Sequence, residues 1–228
     1  MRKLMSRLKR RWTLFWLRKG GPGKLGKVAS WLAVLFVPPY KGRAHLARMV
    51  PRGYISYCAG IQHKDLRLGK NVFIGDRVQI YRTVDGGYVE INDNVALYGD
   101  IIIETAYGGN VIIDEDAHIQ PRCQFVAARG SIHIGKRAEI APNCAFYPFN
   151  HQFTADKNIR EQPIITSGNI EIGDDVWLGY GVIVLDGVHI GDGAVLGAGA
   201  VVTHDIPDNA IAVGSPARVL KYRQDVNA

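Results

Sequence analysis

Between Leu66 and Ile206 the large apolar residues recur every six positions, in runs of three. Leu68, Ile74 and Ile80 form the first run and Ile190, Leu196 and Val202 the last, and the runs between them begin at Ile91, Ile113, Ile134 and Ile172. Two places ahead of each stands a second apolar residue, usually smaller, as at Val72, Ala117, Cys123, Cys144 and Ala200. Side chains two apart share one side of an extended chain. A corner of Gly, Asn or Asp after many of these pairs gives short strands that bend before the next begins. A helix, with a period near 3.6, would scatter the same residues around its circumference. The pattern therefore predicts three strands per triangular coil, with stacked coils pairing their backbones and burying both apolar rows: an all-β solenoid, a parallel β-helix of hexapeptide repeats.

The departures from the period are equally informative. The runs start at 68, 91, 113, 134, 172 and 190 while the spacing inside each stays at six, so every extra residue enters at the same corner of the prism. Asp85-Gly86-Gly87, Tyr107-Gly108-Gly109 and Arg129-Gly130 are small turns there, and an excursion over 148–169 makes its coil twenty residues longer than a regular one. A long loop has an ordering cost and no share of the core, which marks it as the place to look for function. It contains Asn150-His151-Gln152-Phe153, and a histidine is the side chain whose ordinary pKa suits proton transfer near neutrality. Trp177 precedes the inward Leu178 and is expected to project outward, as are His118, His133 and His189. Cys123 and Cys144 fall on the inward row and are expected to be buried packing residues, which counts against a cysteine nucleophile.

Charge divides the chain in two. Residues 1–52 hold 14 Lys and Arg and no acid, and the rest holds 14 against 21 Asp and Glu, so a basic arm precedes an acidic body. The arm also carries Trp12, Phe15, Trp16, Trp31 and Phe36, the composition of a segment lying in a membrane interface on an anionic surface. The alternative is a set of helices that cap the solenoid with their aromatic side and keep the basic face solvated. Its longest uncharged run, Val28 to Val37, ends at Pro38-Pro39 and is too short to span a bilayer about 30 Å thick. Nothing accompanies the charge that resembles a nucleic-acid-binding module, so nucleic acid is not expected as a partner. Three cysteines in no spaced framework suit a reducing compartment, so the expected location is cytoplasmic, peripheral at the inner face of the cell membrane. The expected organisation is a basic aromatic arm over 1–62, the β-helix over 63–207 with its loop at 148–169, and a C-terminal turn and tail over 208–228.

The stretches Ile140-Ala141-Pro142-Asn143, Asn150-His151, Ile172 to Gly179 (Ile-Gly-Asp-Asp-Val-Trp-Leu-Gly), Leu196-Gly197-Ala198-Gly199 and Val213 to Val219 (Val-Gly-Ser-Pro-Ala-Arg-Val) resemble the hexapeptide-repeat acetyltransferases. The likeness is to the galactoside, maltose and nodulation sugar O-acetyltransferase branch and to exopolysaccharide O-acetyltransferases of the colanic acid type. It is close over 134–221, rests on the repeat alone over 66–132, and does not extend to the arm.

The resemblance implies a left-handed β-helix, a homotrimer with active sites between subunits, acetyl-CoA as co-substrate, no metal and a saccharide acceptor. It implies that His151 is the general base and that the sugar hydroxyl attacks the thioester directly. Trp177 matches the tryptophan beside the catalytic cleft. Gly179, Tyr180, Ala198, Thr203 and His204 match positions along the CoA groove, and Arg218 and Lys221 match its cationic end. Asn150 is placed to meet the acceptor or to shape the loop. Tyr180 and His204 depart from the Ser and the Lys or Arg frequent in relatives, and Ala127-Ala128-Arg129-Gly130 replaces an acidic acceptor-holding turn.

Three other readings remain: transfer to a small soluble acceptor such as a nucleotide-linked amino sugar, a free sugar or an antibiotic; a carbonic anhydrase on the same scaffold; and a non-catalytic solenoid. The second needs two zinc-binding histidines five apart, a spacing absent from this sequence.

Overall fold

The computed structural model describes residues 2–224, with side chains from Ser6 onward. Met1 and residues 225–228, the ends of the expected arm and tail, lie outside the described residues.

Two helices, α1 (Arg2–Leu17) and α2 (Lys24–Ala33), and a 3₁₀ stretch over Tyr40–Met49 precede a stack of parallel strands. The strands lie on three faces. Face one has nine strands and holds Ile74, Leu97, Ile119, Ile140, Leu178 and Leu196; face two has seven and holds Ile80, Ile103, Phe125, Phe146, Val184 and Val202; face three has six and holds Leu68, Ile91, Ile113, Ile134, Ile172 and Ile190. Each run of three thus contributes one residue to each face. The residue six positions on always begins a new face, and each pairs in register with its counterpart one coil away, as Ile119 does with Leu97 and Ile140. This is the left-handed parallel β-helix that the repeat and the resemblance predict.

The two apolar rows fill the prism. Ile74, Ile80, Ile91, Leu97, Phe125 and Phe146 are completely enclosed, and Cys123 and Cys144 are buried among them. The cysteines are free, and their thiols donate to the carbonyls of Ala141 and Gly179. Hydrogen bonding to Cys144 and burial push the Cys123 thiol well above its ordinary range, so it does not offer a thiolate. Phe125 and Phe146 stack with ring centroids 4.7 Å apart and planes 9° from parallel, directly before the long loop.

The corners explain the polar residues of the repeat. Between faces three and one the turn residue is left-handed in coil after coil, at Asn71, Asn94, Asp116, Arg137, Asp175, Gly193 and Asn209, a conformation that Asn, Asp and Gly enter most readily. Beside it, aspartates accept hydrogen bonds from the backbone of the preceding coil: Asp93 from Lys70 N, Asp174 from Lys136 N, Asp192 from Asp174 N and Asp208 from Asp192 N. A carboxylate accepting from a backbone N–H makes one of the stronger hydrogen bonds, so this row ties the coils along one edge.

Outward residues of face three form a charge ladder. His133 lies between Asp114 at 2.8 Å and Glu171 at 3.1 Å. Burial alone would lower its pKa, but the hydrogen bond to Asp114 and the charges of Asp114 and Glu171 outweigh it, and the net displacement is upward. A raised folded-state pKa stabilises fully below the unfolded value near 6.5, and the contribution disappears as pH rises through the folded value. The stability advantage of the native chain over a His133→Gln variant should therefore be larger near pH ~5.5 than near ~8.5. It should stay below about 1 kcal/mol, because the side chain is 39% exposed and solvent screens it. Denaturant titrations of both chains at the two pH values check this, and a gap that widens with pH contradicts it.

The structure moves both boundaries of the solenoid. Tyr54–Ile55 and Gly60–Gln62, inside the stretch expected as arm, already pair with Phe73–Ile74 and Gln79–Tyr81, so the first coil begins at Tyr54 rather than at 63. The interval from Ile61 to Leu68 is seven residues, and that break in the period hid it. At the other end Ala210–Val213 continues face one, and Arg218–Tyr222 folds back antiparallel against it, so the end of that face is covered by a reversed strand.

The helices pack against the outer side of face one near its start, where Leu17, Ala33, Val34, Leu46 and Ala47 meet Tyr54, Phe73 and Ala96. Arg43 pairs with Asp76 at 3.0 Å, both side chains largely covered, and Arg52 donates to the carbonyls of Arg18 and Gly20 at the end of α1. The arm is thus docked on the prism, mainly by small and aliphatic residues with Trp16 partly buried beside them. Trp12, Phe15, Trp31 and Phe36 are exposed on the opposite side, so the expected cap with an inward aromatic face does not form.

Candidate functional site

The excursion 148–169 leaves face two after Phe146 and returns to face three at Ile170. It is a small folded unit. Asn150–His151 pairs antiparallel with Ile164–Ile165, and a helical turn over Ile159–Glu161 lies between them. Gln162, buried within the loop, accepts from the backbone N–H and hydroxyl of Thr154 and donates to the carbonyls of Thr154 and Lys157. One glutamine thereby satisfies backbone groups beyond the short ladder of the loop's two strands.

Both strands of the loop are fastened to the next coil by Asp186. Its carboxylate accepts from Asn150 Nδ2 at 2.6 Å and from the backbone N–H of Ser167 at 2.7 Å. Asn150, expected to meet the acceptor or shape the turn, uses its amide group in this tie. His151, the next residue, is exposed, as is Phe153 at 75%. The imidazole therefore stands on an ordered hairpin, open to whatever approaches that edge.

The remaining candidates occupy two regions. Thr203 and His204 lie at the same corner as His151, between faces two and three, and their side chains are hydrogen-bonded to each other at 2.8 Å. Trp177 projects from face one and is 56% exposed; Tyr180 and Ala198 are exposed at the corner between faces one and two. Arg218 and Lys221 are exposed on the reversed strand beside face one, where Arg218 is 2.8 Å from the carbonyl of Ala217. Within one chain, face two separates the imidazole from Trp177.

Gly179 differs from its neighbours. It is buried, and a Cβ there would stand 2.7 Å from the backbone nitrogen of Ala198, so close stacking of the coils already requires a glycine. Its small size is accounted for inside the fold.

Asp186 and Gln162 were not singled out from the sequence. Asp186 had one available signal: it occupies, one coil on, the same corner from which the long loop departs.

Comparison with known proteins agrees with this architecture. The bacterial transferase hexapeptide (six repeats) family matches residues 169–204. A Staphylococcus aureus (strain COL) protein whose name proposes an acetyltransferase is 38% identical over 138 residues, 60% of this chain and 67% of that protein. This chain belongs to the hexapeptide-repeat acetyltransferases. A Mycobacterium tuberculosis (strain ATCC 25618 / H37Rv) relative, also named for acetyl transfer, is 38% identical over 67% of this chain and 50% of its own length. Among solved structures, that of the polySia specific acetyltransferase NeuO superposes with a TM-score of 0.57 at 26% identity, covering 72% of this chain and 80% of the other. AntD, a Bacillus cereus N-acyltransferase solved with dTDP and 3-hydroxybutyryl-CoA, superposes at 0.54 over 82% of this chain and 93% of that one; at 20% identity this speaks for the shared fold. The protein is thus an acyltransferase, and its candidate side chains can be read as the parts of such a site.

Proposed function

We propose that this acetyltransferase moves an acetyl group from acetyl-CoA to a hydroxyl of a saccharide, as part of a polysaccharide or a lipid-linked precursor, in clefts between the subunits of a homotrimer. The observation that carries the reading is His151, exposed on a hairpin that Asp186 and Gln162 hold in one shape at the single bulging edge of the prism.

In this reading the imidazole of His151 takes the proton of the acceptor hydroxyl as its oxygen bonds to the thioester carbonyl carbon. The tetrahedral adduct then collapses, the carbon–sulfur bond breaks, and the CoA sulfur leaves with the proton that the imidazolium returns. A neutral alcohol needs such a base, an effect typically worth about 10²- to 10⁴-fold. The thioester already carries a good leaving group, so no acyl-enzyme is required. Trp177, from the neighbouring subunit, flanks the thioester and pantetheine arm. Tyr180, Ala198, Thr203 and His204 line the groove, and Arg218 and Lys221 meet the CoA phosphates as charge-assisted donors. Gly179 contributes the close coil stacking beneath them. NeuO supports a polymeric saccharide acceptor, because that relative is described as specific for polySia. The unpaired cysteines suit a cytoplasmic enzyme, where acetyl-CoA is available.

Incubation with acetyl-CoA and a panel of saccharides, read by mass spectrometry, tests the activity: O-acetylated product is expected, and acetylation of amino sugars alone overturns it. The shared cleft has its own test. Trimers assembled from a mixture of His151→Ala and Trp177→Ala chains should recover a measurable share of the native rate, since some clefts then contain neither change. Mixed trimers as inactive as either parent would remove the intersubunit site.

Asp186 supplies a third expectation. Removing its carboxylate in Asp186→Ala should lower kcat on the order of tenfold to a hundredfold through misplacement of the imidazole. Asp186→Asn, which keeps an oxygen for Asn150, should lose less. The KM for acetyl-CoA should stay unchanged in both; if it rises while kcat holds, Asp186 serves the groove instead.

A further inference from the structure

The helical hairpin has two apolar sides, and the fold uses one. Ala29, Ser30, Ala33 and Val34 of α2 and its end, with Thr13 and Leu17 of α1, are buried between the helices and the prism. On the other side Leu8, Trp12 and Phe15 of α1 and Trp31, Leu35 and Phe36 at α2 and its end are exposed. These residues form one surface. Trp12 and Phe36 meet edge to face with centroids 6.4 Å apart, and the Trp12 indole donates to the carbonyl of Leu32 at 2.8 Å, which fastens the helices side by side. Packing on face one leaves this surface pointing outward.

Its border is cationic. Lys9 lies over Phe36 at 5.4 Å and Lys19 over Phe15 at 4.3 Å, so ammonium groups flank the aromatic rings. Arg7, Arg10, Arg11 and Arg18 are exposed nearby, and no acid lies in the first 52 residues. Among the described residues the arm's ion pair with an acid is that of Arg43 with Asp76, well below this surface. Among the described residues, the other charged side chains of the arm form no ion pair with an acid.

Indole and phenyl rings beside Lys and Arg that form no ion pair among the described residues match the boundary of a bilayer whose headgroups are anionic: the rings enter the acyl boundary and the cations stay at the phosphates. We propose that the hairpin of α1 and α2 docks flat on an anionic membrane surface through Leu8, Trp12, Phe15, Trp31, Leu35 and Phe36. No helix among the described residues is long and apolar enough to cross a membrane, so the attachment is interfacial. A second copy of the chain fits less well. Many carboxylates of the acidic body are already paired along its ladders, as Asp100 is with Arg77 and Glu115 with Lys136, which leaves less charge to meet the arm. The docking is independent of the acyl acceptor, so each idea can fail without the other.

The test uses the full-length protein with large unilamellar vesicles of phosphatidylcholine, with and without phosphatidylglycerol, at low and high salt. Sedimentation with the anionic vesicles is expected to exceed that with the neutral ones by at least about tenfold in partition coefficient and to fall as salt rises, since each Lys or Arg at such a surface contributes roughly 1 kcal/mol. Arg10→Glu with Arg11→Glu should remove most of this binding. Phe15→Ser with Trp31→Ser should weaken it and reduce quenching of tryptophan fluorescence by lipids brominated in the acyl chains. Both variants alter exposed side chains and should keep the native circular dichroism and acetyl transfer to a soluble saccharide. Equal sedimentation with both vesicle types overturns the proposal. So does a larger assembly in solution that dissociates on Phe15→Ser with Trp31→Ser, which would assign the surface to a second copy, or salt-sensitive binding to nucleic acid without binding to vesicles.

Discussion

Replacing His151 with Ala is expected to lower kcat by about 10²- to 10⁴-fold while leaving the fold and the KM for acetyl-CoA where they are. The size follows from the chemistry: without a base the acceptor hydroxyl must attack as a neutral nucleophile, and the loop carries no second imidazole. The fold should survive because the side chain is exposed and the hairpin is held by backbone pairing with Ile164, by Gln162 and by Asp186. Steady-state kinetics on the variant, with the mass of the assembly measured alongside, decide the matter. A variant that keeps more than about a tenth of the native kcat would mean that the proton is taken elsewhere.

The second large effect lies in the core. Phe146 is fully buried and stacked on Phe125, and its other neighbour along face two is Val184 of the next coil. Phe146→Ala leaves a void that a stack of hydrogen-bonded coils cannot readily close, and a loss of about 3–5 kcal/mol is expected. Denaturant unfolding at matched protein concentration measures it, since subunit association adds to apparent stability. Phe146 lies in the strand from which the long loop departs, so the loop should loosen as well, visible as faster amide exchange over 150–165 than over face three. A loss below about 1 kcal/mol would mean that the coils do close around the void.

These effects show what the sequence made visible. A period of six identifies the inward rows, because a strand permits only two sides and the prism interior accepts only one of them. The burial of Ile74, Cys123 and Phe146 and the exposure of Trp177 followed from position alone. The place of the long loop followed from the same arithmetic, since constant spacing within each run forces every insertion to one edge. What escaped was of a different kind. The first coil broke the period by one residue after Ile61. Asp186 acts on Asn150 across 36 positions, and no local pattern announces a contact between two loops. The arm's docked side was obscured because small residues such as Ala29 and Ser30 do the close packing, whereas hydropathy draws the eye to the aromatic side that faces away. His151 was legible as a candidate base only through its loop and the family likeness.

Because all the irregular length is gathered on one edge, the other two edges of the prism repeat at a fixed pitch from coil to coil. A change of length in 148–169 can therefore redraw the surroundings of His151 without shifting any residue on the other two edges. For the proposed site, acceptor preference and donor binding are then separable variables: the first can drift by insertion and deletion at one edge, while the second stays tied to a spacing that the interior will not release.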